Sequence, residues 1–483
     1  MAITRRQFIT RTGLAAAGTL IGPGLFRNPL LREAFAQLMQ DRYLIVLFLD
    51  GGNDGLNTVT PQAGPLRSDY EDARNSIQLL PGELIVPVKA FTDTHSGTQL
   101  GFHPGLGGTN GGIAALYDAN MVAVIQGCGY PEYNLSHDLS RSIWQTGSPL
   151  TTVGTGWMGR YLLNNGYAPT DIPACTIGDS VAPELRQTAT SVLAFDNLQD
   201  FGFPYDYAYD NDTTFKDAVF NALHRLPNGA AANANSTMQY IGNTGGSTLD
   251  ATNSYPPLHR KYVQDRPTWN AKYSSGGTPP GLNTSTARDF REIAKVIYGV
   301  ASGVANVNAR FFELRNGGYD THSDQGGADS QGQHYNLHRE VGDAVKLFFD
   351  DLTDMAAHAG SQTGLQNLHK KVVVMVWSEF ARRITQNDSG TDHGSQGPMF
   401  VIGGGVNGGV YGTHANIAQS ALDDDGNTPY SQAPGFRSTD FRDVYGTIIK
   451  HWLGMADPSI LLPTDPIISS SYWNTANFDM GFV

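Results

Sequence analysis

Residues 43–49 read YLIVLFL and run straight into DGGNDGLN at 50–57. An apolar run with no polar alternation leaves neither face for water. It predicts a strand buried on both sides, the pattern of a parallel sheet covered by helices. Asp50 and the glycines behind it mark where that strand leaves the core as a tight loop.

The same signal recurs outward from this run. MVAVIQG (121–127), ARFFELR (309–315), KVVVMVW (371–377) and PMFVI (398–402) predict further strands. Between them GGIAALYDAN (111–120), HDLSRSIWQTG (137–147), ARDFREIAKVIYGVASG (287–303), the stretch 332–358 and STDFRDVYGTIIKHWLG (438–454) predict helices. The alternation predicts an α/β fold, a mostly parallel central sheet with helices on both faces. From 196 to 285 the composition turns to Asn, Gly, Ser, Thr and Pro around one helical stretch at 213–226. It predicts a loop-rich insertion or cap inside one domain spanning 37–483.

The chain has 483 residues, 40% hydrophobic and 16% charged, a globular composition. Its formal net charge is −13, and loss of residues 1–36, with five arginines and one glutamate, takes it to −17. No basic run follows residue 36, which argues against nucleic acid as a partner. Thr4-Arg5-Arg6-Gln7-Phe8-Ile9 resembles a twin-arginine export signal, followed by a modest apolar stretch (13–26) and the small-x-small site Ala34-Phe35-Ala36. That implies a signal peptide over 1–36, a partnership with the twin-arginine export machinery and a periplasmic or secreted protein. The apolar stretch is too short to span a bilayer, so no stable membrane insertion is expected. Cys128 and Cys175 either pair or lie buried as small hydrophobes, and their spacing is neither zinc-finger nor redox.

Ligands of a parallel α/β sheet sit outside the carboxyl ends of its strands. There this chain collects acids and imidazoles. Asp50, Asp54 and Asn57 follow the first strand, and Ser136-His137 opens a helix after the second. NGGYDTHSDQ brings Asp320, His322 and Asp324; Ser378-Glu379 is followed by Arg382, Arg383 and Asn387; Thr391-Asp392-His393 precedes PMFVI. Singly, each has a plainer reading: Asp50 as a turn cap, Ser136 as a helix N-cap, His322 and Glu379 as partners of surface arginines. His103 reads as structural, and His334 with His338, one helical turn apart, reads as a solvated face. Together the strand ends predict a divalent metal site suited to zinc, manganese or iron, or to calcium with more oxygen ligands. A serine at a helix start beside such a metal is placed for nucleophilic displacement.

This order of residues resembles the alkaline phosphatase and sulfatase superfamily. The motifs GGNDGLN, YDTH, SEFARR and GTDHG resemble more closely an exported, little-characterised bacterial family related to it, over nearly the whole mature chain. The resemblance implies an alkaline phosphatase-like domain with Ser136 as nucleophile and His137 beside it. It implies metal ligands from Asp50, Asp320, His322, Glu379, Asp392 and His393, and Arg382 gripping a phosphate or sulfate oxygen. The superfamily spaces the first Asp and His four apart, whereas Asp320 and His322 are two apart; Phe380 stands where an imidazole would follow Glu379. No Cys-x-Pro-x-Arg occurs, which disfavours a formylglycine sulfatase. The implied activity is metal-dependent hydrolysis of a phosphate or sulfate ester, small-molecule or glycan, by an exported enzyme. The alternative is a non-catalytic periplasmic binding or assembly protein with a degenerate phosphatase-like site.

Overall fold

In the computed structural model every position of β1 (Tyr43–Asp50) is buried, and successive side chains enter different cores. Ile45 and Leu47 pack with Phe290, Ile297, Val345 and Phe348 on one face of the sheet. Leu44, Val46 and Phe48 pack with Ile143, Trp144, Phe441 and Tyr445 on the other. Each such aliphatic or aromatic side chain contributes about 1.5–3 kcal/mol by leaving water, which explains why the run shows no alternation. The structure describes residues 42–483 except 131–132, 149–153, 189, 203–212, 275–281, 305–306, 330, 423–438 and 463–477. Residues 1–36, expected to be a signal peptide, lie outside the described residues. No described helix is long and apolar enough to cross a membrane.

After β1 come α1 (Gly112–Asp118), β2 (Val122–Cys128), α2 (His137–Thr146), β3 (Ala174–Ile177) and β4 (Val192–Phe195). Then follow α3 (Ser285–Ala301), β5 (Phe311–Gly317), α4 (Gln333–Ala357), β6 (Val372–Trp377), β7 (Gly397–Ile402), β8 (Gly409–Gly412) and α5 (Phe441–Thr447). The eight strands form one mixed sheet in the order β8-β2-β7-β6-β1-β5-β3-β4. β1 pairs in parallel with β5 (Leu44 beside Phe311) and with β6 (Tyr43 beside Val372). β7 runs antiparallel to both its neighbours, β2 and β6. Its reversed direction has a consequence for the site. The entrance of β7, not its exit, lies at the rim where the parallel strands end, so the loop before it reaches the same place as the loops after β1, β5 and β6.

Two expectations change. The stretch expected to be loop-rich is largely helical: 213–223, 225–231, 236–254, 256–265 and 267–272 are helices. Asn, Gly, Ser and Thr are weak helix formers, but tertiary packing overrides propensity here. Ala251, Tyr255, Leu258, Tyr262 and Tyr273 are buried, and all join the core of the α3–α4 face. Gly242 permits the contact, because a Cβ there would stand 2.1 Å from the Ala231 backbone nitrogen. His334 and His338 are buried and not solvated, since the start of α4 packs against residues 104–107 and under the 53–58 loop. Cys128 and Cys175 are both free and buried, so they do not pair.

Candidate metal centre

Three histidines turn their Nε2 atoms toward Asp320. His137 opens α2, Asp320 and His322 follow β5, and His393 precedes β7. His393 Nε2 lies 3.2 Å and His322 Nε2 3.1 Å from Asp320 Oδ1, and His137 Nε2 lies 3.5 Å from Oδ2. His322 Nε2 and His393 Nε2 are 3.0 Å apart. One donor atom each from His137, Asp320 and His393 falls within a 4.8 Å span.

The opposite nitrogen of each ring is held by an acceptor. His137 Nδ1 is 2.8 Å from Glu379 Oε1, His322 Nδ1 is 2.9 Å from Asp392 Oδ1, and His393 Nδ1 is 2.8 Å from the Leu135 carbonyl. An acceptor at Nδ1 assigns the proton to that nitrogen and leaves Nε2 with a bare lone pair. Burial holds His393 below the ordinary histidine range, against the upward pull of the Leu135 carbonyl and Asp320, so the ring is neutral at pH 7. Three lone pairs and a carboxylate thus face one another, an arrangement that repels itself until a cation enters. A divalent metal fits this donor set. Acceptors behind metal-binding histidines fix ring orientation in the same way.

Burial works against ionisation of Asp320, but the Arg382 guanidinium beside it holds the carboxyl below the usual carboxylate range. Glu379 is likewise opposed by burial, yet His137 and Arg141 hold it below the usual carboxylate range. Both groups are therefore anionic at neutral pH.

The other expected residues stand further back. Glu379 is fully buried behind His137, its oxygens accepting from the Gly51 and Gly52 amides at 3.1–3.2 Å. Asp392 stands behind His322. Asp50 is clasped by Arg141 at 2.5 Å and by Arg315, and makes no contact with the histidines. Asp54 and Asn57 are buried and bound to Arg74. Ser136 occupies the N-cap position of α2, exposed and without a side-chain capping bond.

Arg382 does not suit an anion grip, and this corrects the expectation. Its buried guanidinium donates to the carbonyls of Gly52 (2.6 Å), Thr391 (2.9 Å), Tyr319 (2.9 Å) and Gly51, and to Asp320 at 2.6 Å. Its donors are spent on tying three rim loops together. The cations that do reach the rim are Arg141 and Arg315, which motif reading missed. The signal was present: Arg141 sits one turn after His137 on the same helix, and Arg315 near the end of β5.

The loop GTDHG is stitched to the loop after β5 through its backbone. Thr391 N donates to Thr321 O and Gln325 N to Ser389 O, each at 3.1 Å. The close approach needs Gly390, because a Cβ there would meet Thr321 O at 2.3 Å. Gly390→Ala should therefore separate His393 from His322, weakening zinc binding about tenfold or more with little change in far-UV circular dichroism. Chelator competition reads the affinity; unchanged binding would refute the role assigned to this contact.

Residues 299–429 match a family model described as "Protein of unknown function (DUF1501)". The matched stretch carries Asp320, His322, Glu379, Arg382, Asp392 and His393. No curated protein matches the sequence. Among solved structures, the chain is similar to the lipoteichoic acid synthase LtaP from Listeria monocytogenes, at 8% identity over 83% of this chain and 73% of that chain, TM-score 0.29. It is similar to the PsFucS1 sulfatase from Pseudoalteromonas sp., at 10% identity over 95% and 77%, TM-score 0.35. It is also similar to a variant of the alkaline phosphatase PafA, at 11% identity over 71% and 64%, TM-score 0.22. The α/β fold stands on its own strand order.

Proposed function

We propose that this protein is an exported, metal-dependent hydrolase of phosphate or sulfate esters with Ser136 as nucleophile. The observation that carries the proposal is the convergence of three anchored imidazoles on Asp320. His137, Asp320, His322 and His393 would hold one divalent ion, with zinc, manganese and calcium as the candidates. Such an ion, when bound, lowers the pKa of a hydroxyl and polarises an ester oxygen. The chain's own groups do the rest. Ser136 presents a hydroxyl at the start of a ten-residue helix, where unpaired amides favour an anion. Arg141 and Arg315 place positive charge beside the rim, with Asp50 holding both in place. Glu379 and Asp392 keep the ring protons of His137 and His322 at Nδ1. The serine oxygen attacks the phosphorus or sulfur, the alcohol leaves with a proton, and water then releases the acid and restores Ser136.

Purified protein is expected to carry about one divalent ion per chain and to release the chromophore from an aryl phosphate, phosphodiester or sulfate. Ser136→Ala should abolish turnover and keep the metal. Normal turnover by that variant would overturn the nucleophile, and a metal-free wild type would overturn the hydrolase. The capture of Asp50 by two arginines supports a second reading, a binding protein for an anionic ligand. Bound metal without turnover on any ester would favour it.

A further inference from the structure

Beneath the loop 50–58 lies a pair of histidines that the proposed chemistry does not use. His334 and His338 are 0% and 1% exposed, with ring centroids 4.1 Å apart, and His103 packs edge-on against both. His334 Nε2 is 3.0 Å from Asn53 Oδ1, which can only accept, so His334 donates. His338 Nε2 is 3.0 Å from Thr58 Oγ1. The Thr58 hydroxyl donates to the Asp54 carbonyl at 2.6 Å and accepts from Asn53 Nδ2 at 2.9 Å, so His338 donates as well. Both remaining Nδ1 atoms are buried without a hydrogen-bond partner. Two buried nitrogens without partners give the packed core no advantage over an apolar pair, so packing alone gives no reason for two imidazoles.

The reason lies above them. The side chain of Asn53 faces His334, while its backbone nitrogen donates to Ser378 Oγ at 2.9 Å. Ser378 Oγ stands 3.1 Å from Glu379 Oε2 and 2.6 Å from the Leu49 carbonyl. Gly51 and Gly52 take positive φ, +122° and +83°, which lets consecutive amides point at the same Glu379 carboxylate. Glu379 in turn holds His137.

We propose that His334 and His338, acting through Thr58, Asn53 and the Gly51–Gly52 amides, are positioning residues that fix the Glu379 carboxylate and thereby the tautomer and aim of His137. None of these six residues contributes a donor atom to the convergence point itself. The proposal rests on the metal-centre reading for its purpose but not for its test.

The test uses the metal-free full chain first. Nitrogen-15 correlation spectra are expected to show wild-type His137 as the Nδ1–H tautomer, and His334→Leu/His338→Leu to show a mixture of both. Thr58→Val, which keeps the shape and removes one hydroxyl, should shift the mixture in the same direction if the double variant fails to fold. His334→Gln, which retains a donor toward Asn53, should restore most of the wild-type tautomer. In the second arm, zinc affinity by chelator competition should fall about tenfold to a hundredfold in the double variant. A His137 tautomer unchanged in both the double variant and Thr58→Val would overturn the inference. A wild type that binds none of zinc, manganese and calcium, together with the tautomer shift in the variants, would overturn the hydrolase reading and leave this inference standing.

Discussion

Lowering the pH from 7 to 5 should favour His334→Leu/His338→Leu over the parent by about 4 kcal/mol in relative stability. Burial holds both histidines well below the ordinary value of 6.5, and His103 beside them at about 3. A base with a depressed folded pKa contributes stability that is present above the unfolded pKa and is lost as pH falls toward the folded one. Below 6.5 the unfolded chain takes up a proton that the folded chain refuses, at about 1.4 kcal/mol per histidine per pH unit. Two histidines over one and a half units give the stated figure. The parent's own profile should be shallower, because Glu313 and Glu184 run the opposite way. Burial raises Glu313 well above its ordinary value and Glu184 to about 7. Their contribution is complete below the unfolded carboxylate range and is lost as pH rises through their folded values. The difference between variant and parent isolates the histidines. Urea unfolding at both pH values in the presence of a chelator measures it, and equal shifts for the two proteins would exclude the assignment.

Asp351→Ala should destabilise the protein by about 3 kcal/mol, because two buried phenols lose their acceptor and the Arg266 guanidinium keeps only Asp354 as an ion-pair partner. Asp351 is 0% exposed on α4 and accepts from Tyr262 at 2.5 Å, from Arg266 Nη2 at 2.6 Å and from Tyr273 at 3.3 Å. All three donors belong to the inserted helical segment, so this carboxylate pins the insertion to the sheet domain. Burial lifts Asp351 above its ordinary range even against Arg266 and the two phenols, so the intact cluster gives less net stability than its disruption removes. Proteolysis within 213–272 should accelerate in the variant before the rest of the chain is cut. Urea midpoints and the order of cleavage check both statements; unaltered resistance of the insertion would refute the pinning role.

The sheet was legible where the chemistry was local. A run such as YLIVLFL can bury both faces only in a sheet covered on both sides, and KVVVMVW carried the same message. The four-residue strands β3, β4 and β8 were too short to show a pattern, and nothing in PMFVI revealed that it runs backwards. The insertion misled because its helices are stabilised by Tyr255, Tyr262 and Asp351 making contacts far from their place in sequence. At the site, ligand-type residues were readable at strand ends, but their division of labour was not. Glu379, Arg382 and Asp50 differ from Asp320 in depth and partners, and depth is set by how loops fold over one another. Arg141 went unnoticed because an arginine in a helix carries no motif until its neighbours in space are known.

The reversal of β7 also bears on when the metal centre can come into being. A chain released from the ribosome as far as Glu379, just past β6, already holds His137, Asp320 and His322 as well, but lacks the histidine that completes the set. That histidine arrives only with the entrance of β7, which lies between β2 and β6, strands that precede it in the chain. Any metal taken up by the finished centre therefore reports that the middle of the sheet has closed. On the proposed reading, a full set of donors for the ion exists only once β7 is seated, because His393 is supplied at its entrance.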